Sequence, residues 1–186
     1  MKSTELPLTV SDLEGAPDDG NRYEVIEGDL LISAPPSFTH QRVLIHLGFA
    51  MEMHLREYRT GVVVPSVGVI FDQFNGVIPD LVFLTQERKK HILEGGRLTA
   101  APQIVVEIIS PGATNEKRDR VVKRRLYSVR GVHEYWIVDC EAKTVEVYRK
   151  RKEGGLKLAA NLHSGDDLTS SVLPEFRLSL AQLFAE

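Results

Sequence analysis

Residues 103–139 read QIVVEIISPGATNEKRDRVVKRRLYSVRGVHEYWIVD, and the change of hydrophobic period along them decides the fold. Residues 103–110 (QIVVEIIS) are apolar on both faces, the pattern of a central strand covered on both sides. Residues 114–130 predict a helix, and residues 133–139 (HEYWIVD) a second strand. A strand, helix, strand unit of this length joins parallel neighbours by a right-handed crossover. The centre is therefore a mixed sheet carrying helices.

The flanks add to it on both sides. Downstream, residues 144–149 and 156–160 predict further strands, and Ser179 with Gln182 three residues later opens a short helix. Upstream, residues 61–71 and 77–84 are apolar runs that predict two strands joined by an Asn75-Gly76 turn. After Pro35-Pro36, Ser37 caps a helix to about residue 58, with Val43, Leu47, Ala50 and His54 at helical spacing and Leu44, Met51 and Leu55 close by. Residues 23–26 and 29–33 flank Glu27-Gly28 and predict a hairpin. Ser11, Asp12 and Leu13 predict a short helix ending before Pro17. Without repeats or long linkers, the expectation is one domain over residues 1–186 with its core at about 21–150.

Composition narrows the function. With 42% hydrophobic and 26% charged residues the chain is globular, and the formal charge of −3 argues against a uniformly basic coat. No apolar run approaches the ~20 residues of a membrane helix, and residues 1–10 lack a signal-peptide core, so the expected location is cytoplasmic. The single Cys140 excludes an internal disulfide and a cysteine-rich metal cluster.

Two carboxylates stand where apolar residues belong. Asp80 follows Pro79 at the head of an apolar run, and Glu107 interrupts Ile104, Val105, Val106, Ile108 and Ile109. A buried carboxylate without a partner costs several kcal/mol, so Glu107 must be paired, protonated or bound to a cation. One reading is a structural salt bridge to an arginine. In the other, neighbouring strands bring Asp80 and Glu107 to one hard cation, since Mg²⁺ is commonly held by one or two carboxylates. The helix of residues 114–130 carries a net charge of +5, which leaves −8 on the remainder. Val122, Leu126 and Val129 make its expected apolar stripe. Asp119, Lys123 and Tyr127 lie on the adjacent one, from which Lys123 can reach inward. His40, near a helix start, serves either as a surface contact or in the same cleft. No His-x-x-x-His pair, Gly-rich phosphate loop or Gly-x-Ser-x-Gly elbow is present.

These residues resemble the PD-(D/E)XK nuclease superfamily, in particular the restriction endonuclease group called Uma-two. The resemblance is carried by YEVIEGDL at 23–30, Pro35-Pro36 followed by HQRV at 40–43, Pro79-Asp80, VEIISP at 106–111, and Asp119 through Lys123 and Tyr127 into GVHEYWIVD at 131–139. It implies an α/β fold of restriction-endonuclease-like type, a central mixed sheet flanked by helices with an N-terminal hairpin. It implies phosphodiester hydrolysis in DNA with Mg²⁺ (or Mn²⁺) held by Asp80, Glu107 and the Ile108 carbonyl. The superfamily places a lysine two residues after the acidic residue. That position is Ile109 here, and the resemblance makes Lys123, from the following helix, its replacement. Glu24, Glu27 and His40 are then candidates for contacts to metal-bound water, Tyr127 for orienting Lys123, and Arg118, Arg120 and Arg124 with residues 149–152 for tracking phosphates. A homodimer would supply two active sites for two strands, with Leu6, Leu8 and Val10 as candidate contacts. The competing reading is a nuclease-like fold kept for nucleic-acid binding or self-association without catalysis, suggested by Ile109.

Overall fold

The structure, a computed structural model, describes residues 6–109 and 112–185. Ser110 and Pro111, quoted above within the VEIISP stretch, lie outside the described residues. Thr9 binds the Asp12 carboxylate through its hydroxyl and its N–H, opening a 3-10 turn at Val10–Gly15 ahead of Pro17. Strands β1 (Arg22–Ile26) and β2 (Asp29–Ser33) form the expected antiparallel hairpin. Its turn residues Glu27 and Gly28 have φ of 53° and 82°, the two-residue turn whose twist suits the flanking strands. The Ser37 side chain accepts the His40 N–H and starts α1 (Phe38–Tyr58), which buries His40, Val43, Leu47, Met51 and Leu55 along one face.

Residues 61–85 depart from the two long strands expected there. They divide into β3 (Gly61–Pro65), β4 (Val69–Asp72), β5 (Asn75–Val77) and β6 (Leu81–Thr85), with β3 paired to β6 and β4 to β5. Asn75-Gly76 lies inside β5, and the turn is Gln73-Phe74. The Asp72 carboxylate fixes that turn by accepting from the Phe74 N–H and the Asn75 amide. Pro65 and Pro79 carry no N–H to extend a ladder, and Ser66 has a φ of 48°, so each apolar run breaks there and crosses between sheets.

Of the remaining elements, those of residues 104–162 follow the periodicity, whereas those of residues 86–98 have no counterpart among the expectations. A short α2 (Gln86–Ile92) leads into the two-residue strands β7 (Leu93–Glu94) and β8 (Arg97–Leu98), and then into β9 (Ile104–Ile109), buried at all six positions. Next, α3 (Ala113–Lys117), a π-helical turn over Arg118–Lys123, and α4 (Arg124–Arg130) run as one helix, ended by Gly131 at φ 86°. It returns the chain to β10 (Glu134–Asp139), parallel to β9 with Ile137 opposite Glu107. Strands β11 (Thr144–Lys150), β12 (Leu156–Leu162), β13 (Asp167–Thr169) and β14 (Arg177–Ser179) precede α5 (Leu180–Leu183), which Ser179 caps. The β13–β14 hairpin has no counterpart among the sequence expectations.

One six-stranded sheet has the order β12-β11-β10-β9-β6-β3, another β2-β1-β5-β4-β8-β7, and each contains one parallel pair. The first sheet separates two cores. Ile104, Val106 and Ile108 pack with α1 and the C-terminal hairpin, whereas Val105 and Ile109 pack toward the second sheet and the α3–α4 helix. By strand alternation Glu107 shares the second face, which puts a carboxylate between a sheet and a basic helix.

That helix does not use the expected stripe. Leu126 is buried, but Val122 is half-buried and Val129 is 73% exposed, while Asp119, Lys123 and Tyr127 face inward. Four residues of α-helix overshoot a full turn by about 40°, so i, i+4 and i+8 drift apart. The π turn takes more residues per revolution, which offsets the drift and keeps the three polar side chains in line.

Gly61 marks a close approach at the sheet edge. A Cβ there would fall on the Leu84 carbonyl and the Phe83 ring. Gly61→Ala is expected to cost about 2 kcal/mol through forced backbone movement, read as a lower urea midpoint at unchanged slope.

Candidate active site

Asp80 enters the site because β6 begins immediately after it and pairs with β9, Leu81 lying opposite Val106. Its Oδ2 accepts the Ile108 N–H at 2.8 Å, tying the aspartate to the Glu107 strand. Its Oδ1 accepts from Arg22 at 2.9 Å, and His40 Nε2 lies 3.4 Å away. Burial alone would raise this carboxyl, but the His40 and Arg22 side chains and the Ile108 N–H lower it to about 2.

Glu107 Oε1 accepts from the Tyr127 hydroxyl at 2.7 Å and from Lys123 Nζ at 3.1 Å. Lys123 is 1% exposed and also donates to Glu24 at 2.9 Å, so one ammonium bridges a carboxylate from each sheet. Glu24 in turn accepts the Ile78 N–H at 2.7 Å. Burial opposes charge on Lys123, but Glu107, Glu24 and Asp119 outweigh it and hold the amine protonated. Burial raises Glu107 to about 8, Lys123 pulls against it, and Asp80, Asp119 and Glu24 raise it further.

Arg118 closes one side. It grips Asp119 through two bonds of 3.0 Å and donates to Ser33 at 2.7 Å. The result is an open cleft of about 310 Å³ whose lining includes Arg22, His40, Asp80, Glu107, Ile108 and Arg118. Around it stand four buried carboxylates, Glu24, Asp80, Glu107 and Asp119, against the fixed cations Arg22, Arg118 and Lys123. Among the described residues no three His, Cys, Asp or Glu side chains converge as a metal cage. An all-oxygen pair beside the Ile108 main chain, with one negative charge in excess once Glu107 gives up its proton, nevertheless fits a hard divalent cation that keeps most of its water.

The sequence candidates thus divide. Asp80, Glu107, Lys123, Glu24, His40 and Tyr127 come together, with the Ile108 main chain between the two acids. Glu27 stays on the hairpin turn, its side chain 63% exposed and 3.6 Å from Arg125. Arg118 lines the cleft, Arg120 is taken up by Asp139 and Glu146, and Arg124 lies over the Tyr148 ring at 5.2 Å. Two participants were missed as such, Arg22 and Asp119. Arg22 had a signal, since period-2 alternation puts it on the same face of β1 as Glu24. Asp119 was placed on the right stripe but given no partner.

Among the described residues no helix is long and apolar enough to cross a membrane. The Uma2 family, described as putative restriction endonuclease, matches residues 10–181. A solved structure described as a putative nuclease belonging to DUF820, from Anabaena variabilis, superposes with a TM-score of 0.75 at 19% identity, covering 96% of this chain and 98% of that one. The type IIG restriction endonuclease BpuSI aligns at a TM-score of 0.44 and 11% identity over 80% of this chain and 16% of its own. No curated protein matches the chain.

Proposed function

The chain belongs to the Uma2 family of restriction-endonuclease-like proteins, and from that premise we propose that it is a Mg²⁺-dependent endonuclease that hydrolyses phosphodiester bonds in DNA. The observation that carries this reading is the meeting of Asp80 and Glu107, from two adjacent strands, on one open cleft, with the buried ammonium of Lys123 bonded to Glu107 behind it. Asp80, Glu107 and the Ile108 carbonyl would hold the cation. When bound, Mg²⁺ neutralises charge developing on the phosphate and acidifies the attacking water.

The protein's own groups have separable tasks. Asp80, kept ionised at about 2, offers a permanent anion at the head of β6. Lys123, held protonated, cannot take a proton from water and acts instead by donating to the attacking water or to a non-bridging phosphate oxygen. Tyr127 and Glu24 hold it in place through Glu107 and directly. Arg118 stands at the cleft wall, where a phosphate can compete with Asp119 for its guanidinium.

A supercoiled-plasmid nicking assay tests the reading. Nicking is expected with Mg²⁺ or Mn²⁺, none with excess chelator, and none above background for Asp80→Asn. Equal activity in wild type and Asp80→Asn would assign the cleavage elsewhere. DNA binding without metal binding by calorimetry would favour a binding protein of nuclease-like fold.

A further inference from the structure

Helix α1 is amphipathic for only half of its circumference. Opposite the buried His40–Val43–Leu47–Met51–Leu55 face, Phe38, Ile45, Phe49 and Met53 are 81%, 60%, 66% and 49% exposed. Their spacing of seven, four and four puts them on one stripe, so α1 presents a second apolar ridge that nothing among the described residues covers. A surface helix with apolar residues on both faces has a second packing partner.

Charge along the ridge identifies that partner. Arg42 lies between Phe38 and Ile45, and Glu52 beside Met53, where its Oε1 accepts from Arg56 one turn further at 3.3 Å and its carboxylate stays half-exposed. When two copies of α1 cross antiparallel about an axis between Ile45 and Phe49, Ile45 meets Phe49 of the second copy, and Arg42 meets Glu52 of the second copy twice over. Beside Phe38 opens a groove of about 650 Å³, lined by Phe38, Arg42, Val43, Cys140, Lys143 and Phe184 among others. In that arrangement it receives Met53 of the second copy, and Lys143 adds positive charge where the Glu52 carboxylate of the second copy arrives. The 21-residue helix is about 31 Å long, so the ridge and the adjoining groove form one continuous surface along it.

We infer that the exposed ridge of α1, with the adjoining groove, is the contact through which the protein forms a symmetric dimer with a second copy of itself. Of the N-terminal residues expected to serve this purpose, Leu6 is exposed, while the backbones of Leu8 and Val10 are held by the neighbouring turns. Leu8 and Val10 donate their N–H groups to Gly28 and Gln73, and the Val10 side chain covers Gly76.

The test is the oligomeric state of the full chain by sedimentation velocity, independent of nicking. Wild type is expected to be a dimer at micromolar concentration. Phe49→Glu is expected to be a monomer with an unchanged far-UV spectrum. Arg42→Glu and Glu52→Arg are each expected to weaken the dimer at least about tenfold, and the double variant to restore it. A monomeric wild type, a dimeric Phe49→Glu, or a double variant no tighter than the singles would overturn the inference. The charge pair decides the matter even if Phe49→Glu fails to fold.

Discussion

Glu107→Gln is expected to abolish Mg²⁺-dependent nicking while making the metal-free protein more stable at pH 8. The isosteric amide keeps the shape of the site and can still accept from Tyr127 and Lys123. It removes an anionic ligand, and losing several kcal/mol of transition-state charge stabilisation lowers the rate about 10³-fold or more. The stability gain comes from the same carboxyl. Burial, with Asp80, Asp119 and Glu24 nearby, holds Glu107 near 8 in the folded protein against 4.5 as its ordinary value, despite Lys123. Between those values the folded state binds a proton that the unfolded chain has released. The metal-free melting temperature should therefore fall as pH rises from about 4.5 to 8. Glutamine removes that proton uptake, so its profile is flatter across the window. Asp80 works in the opposite direction at lower pH. Depressed to about 2, it contributes stability that is complete above its ordinary 3.8 and lost as pH falls through 2. Melting curves of both proteins from pH 4.5 to 8 with chelator present check this, and a parallel pH dependence in wild type and Glu107→Gln would exclude Glu107 as its source.

Lys123→Met should be the most destabilising single change in the site. It leaves the buried Glu24 and Glu107 carboxylates without their shared ammonium, and breaking a buried pair from one side costs roughly 3–5 kcal/mol. Adding Glu24→Gln removes one orphaned charge and should recover a large part of that loss. Nicking should stay absent in the double variant, because the ammonium beside Glu107 has not returned. The separation of stability from activity distinguishes a catalytic lysine from a structural one. Activity within tenfold of wild type in the double variant would assign Lys123 to structure alone.

Much of this site could be read from local pattern. The fully apolar strand interrupted by Glu107, the basic helix after it and the parallel strand beyond are all set by residues close in sequence, and periodicity reports such elements well. The position of Lys123 followed from its place beside the apolar stripe. What escaped depends on contacts between distant residues. Arg22 reaches Asp80 across 58 positions, and no local signal shows which carboxylate it will meet. The apolar runs of 61–71 and 77–84 read as continuous strands because an exchange of sheets leaves no trace in hydrophobicity, only the prolines at 65 and 79. The stripe of Val122, Leu126 and Val129 assumed a regular helix, and the π turn between Arg118 and Lys123 shifted the inward line to polar residues.

That turn has a hereditary side. A π turn is an α-helix holding one residue too many, so the loss of a single codon between 118 and 123 relaxes it to ordinary helix with both flanks in place. The fold would survive while the polar line is cut. Relatives one residue shorter at this point would be inactive by descent, separated from active ones by one deletion, and a search for such pairs needs only their sequences.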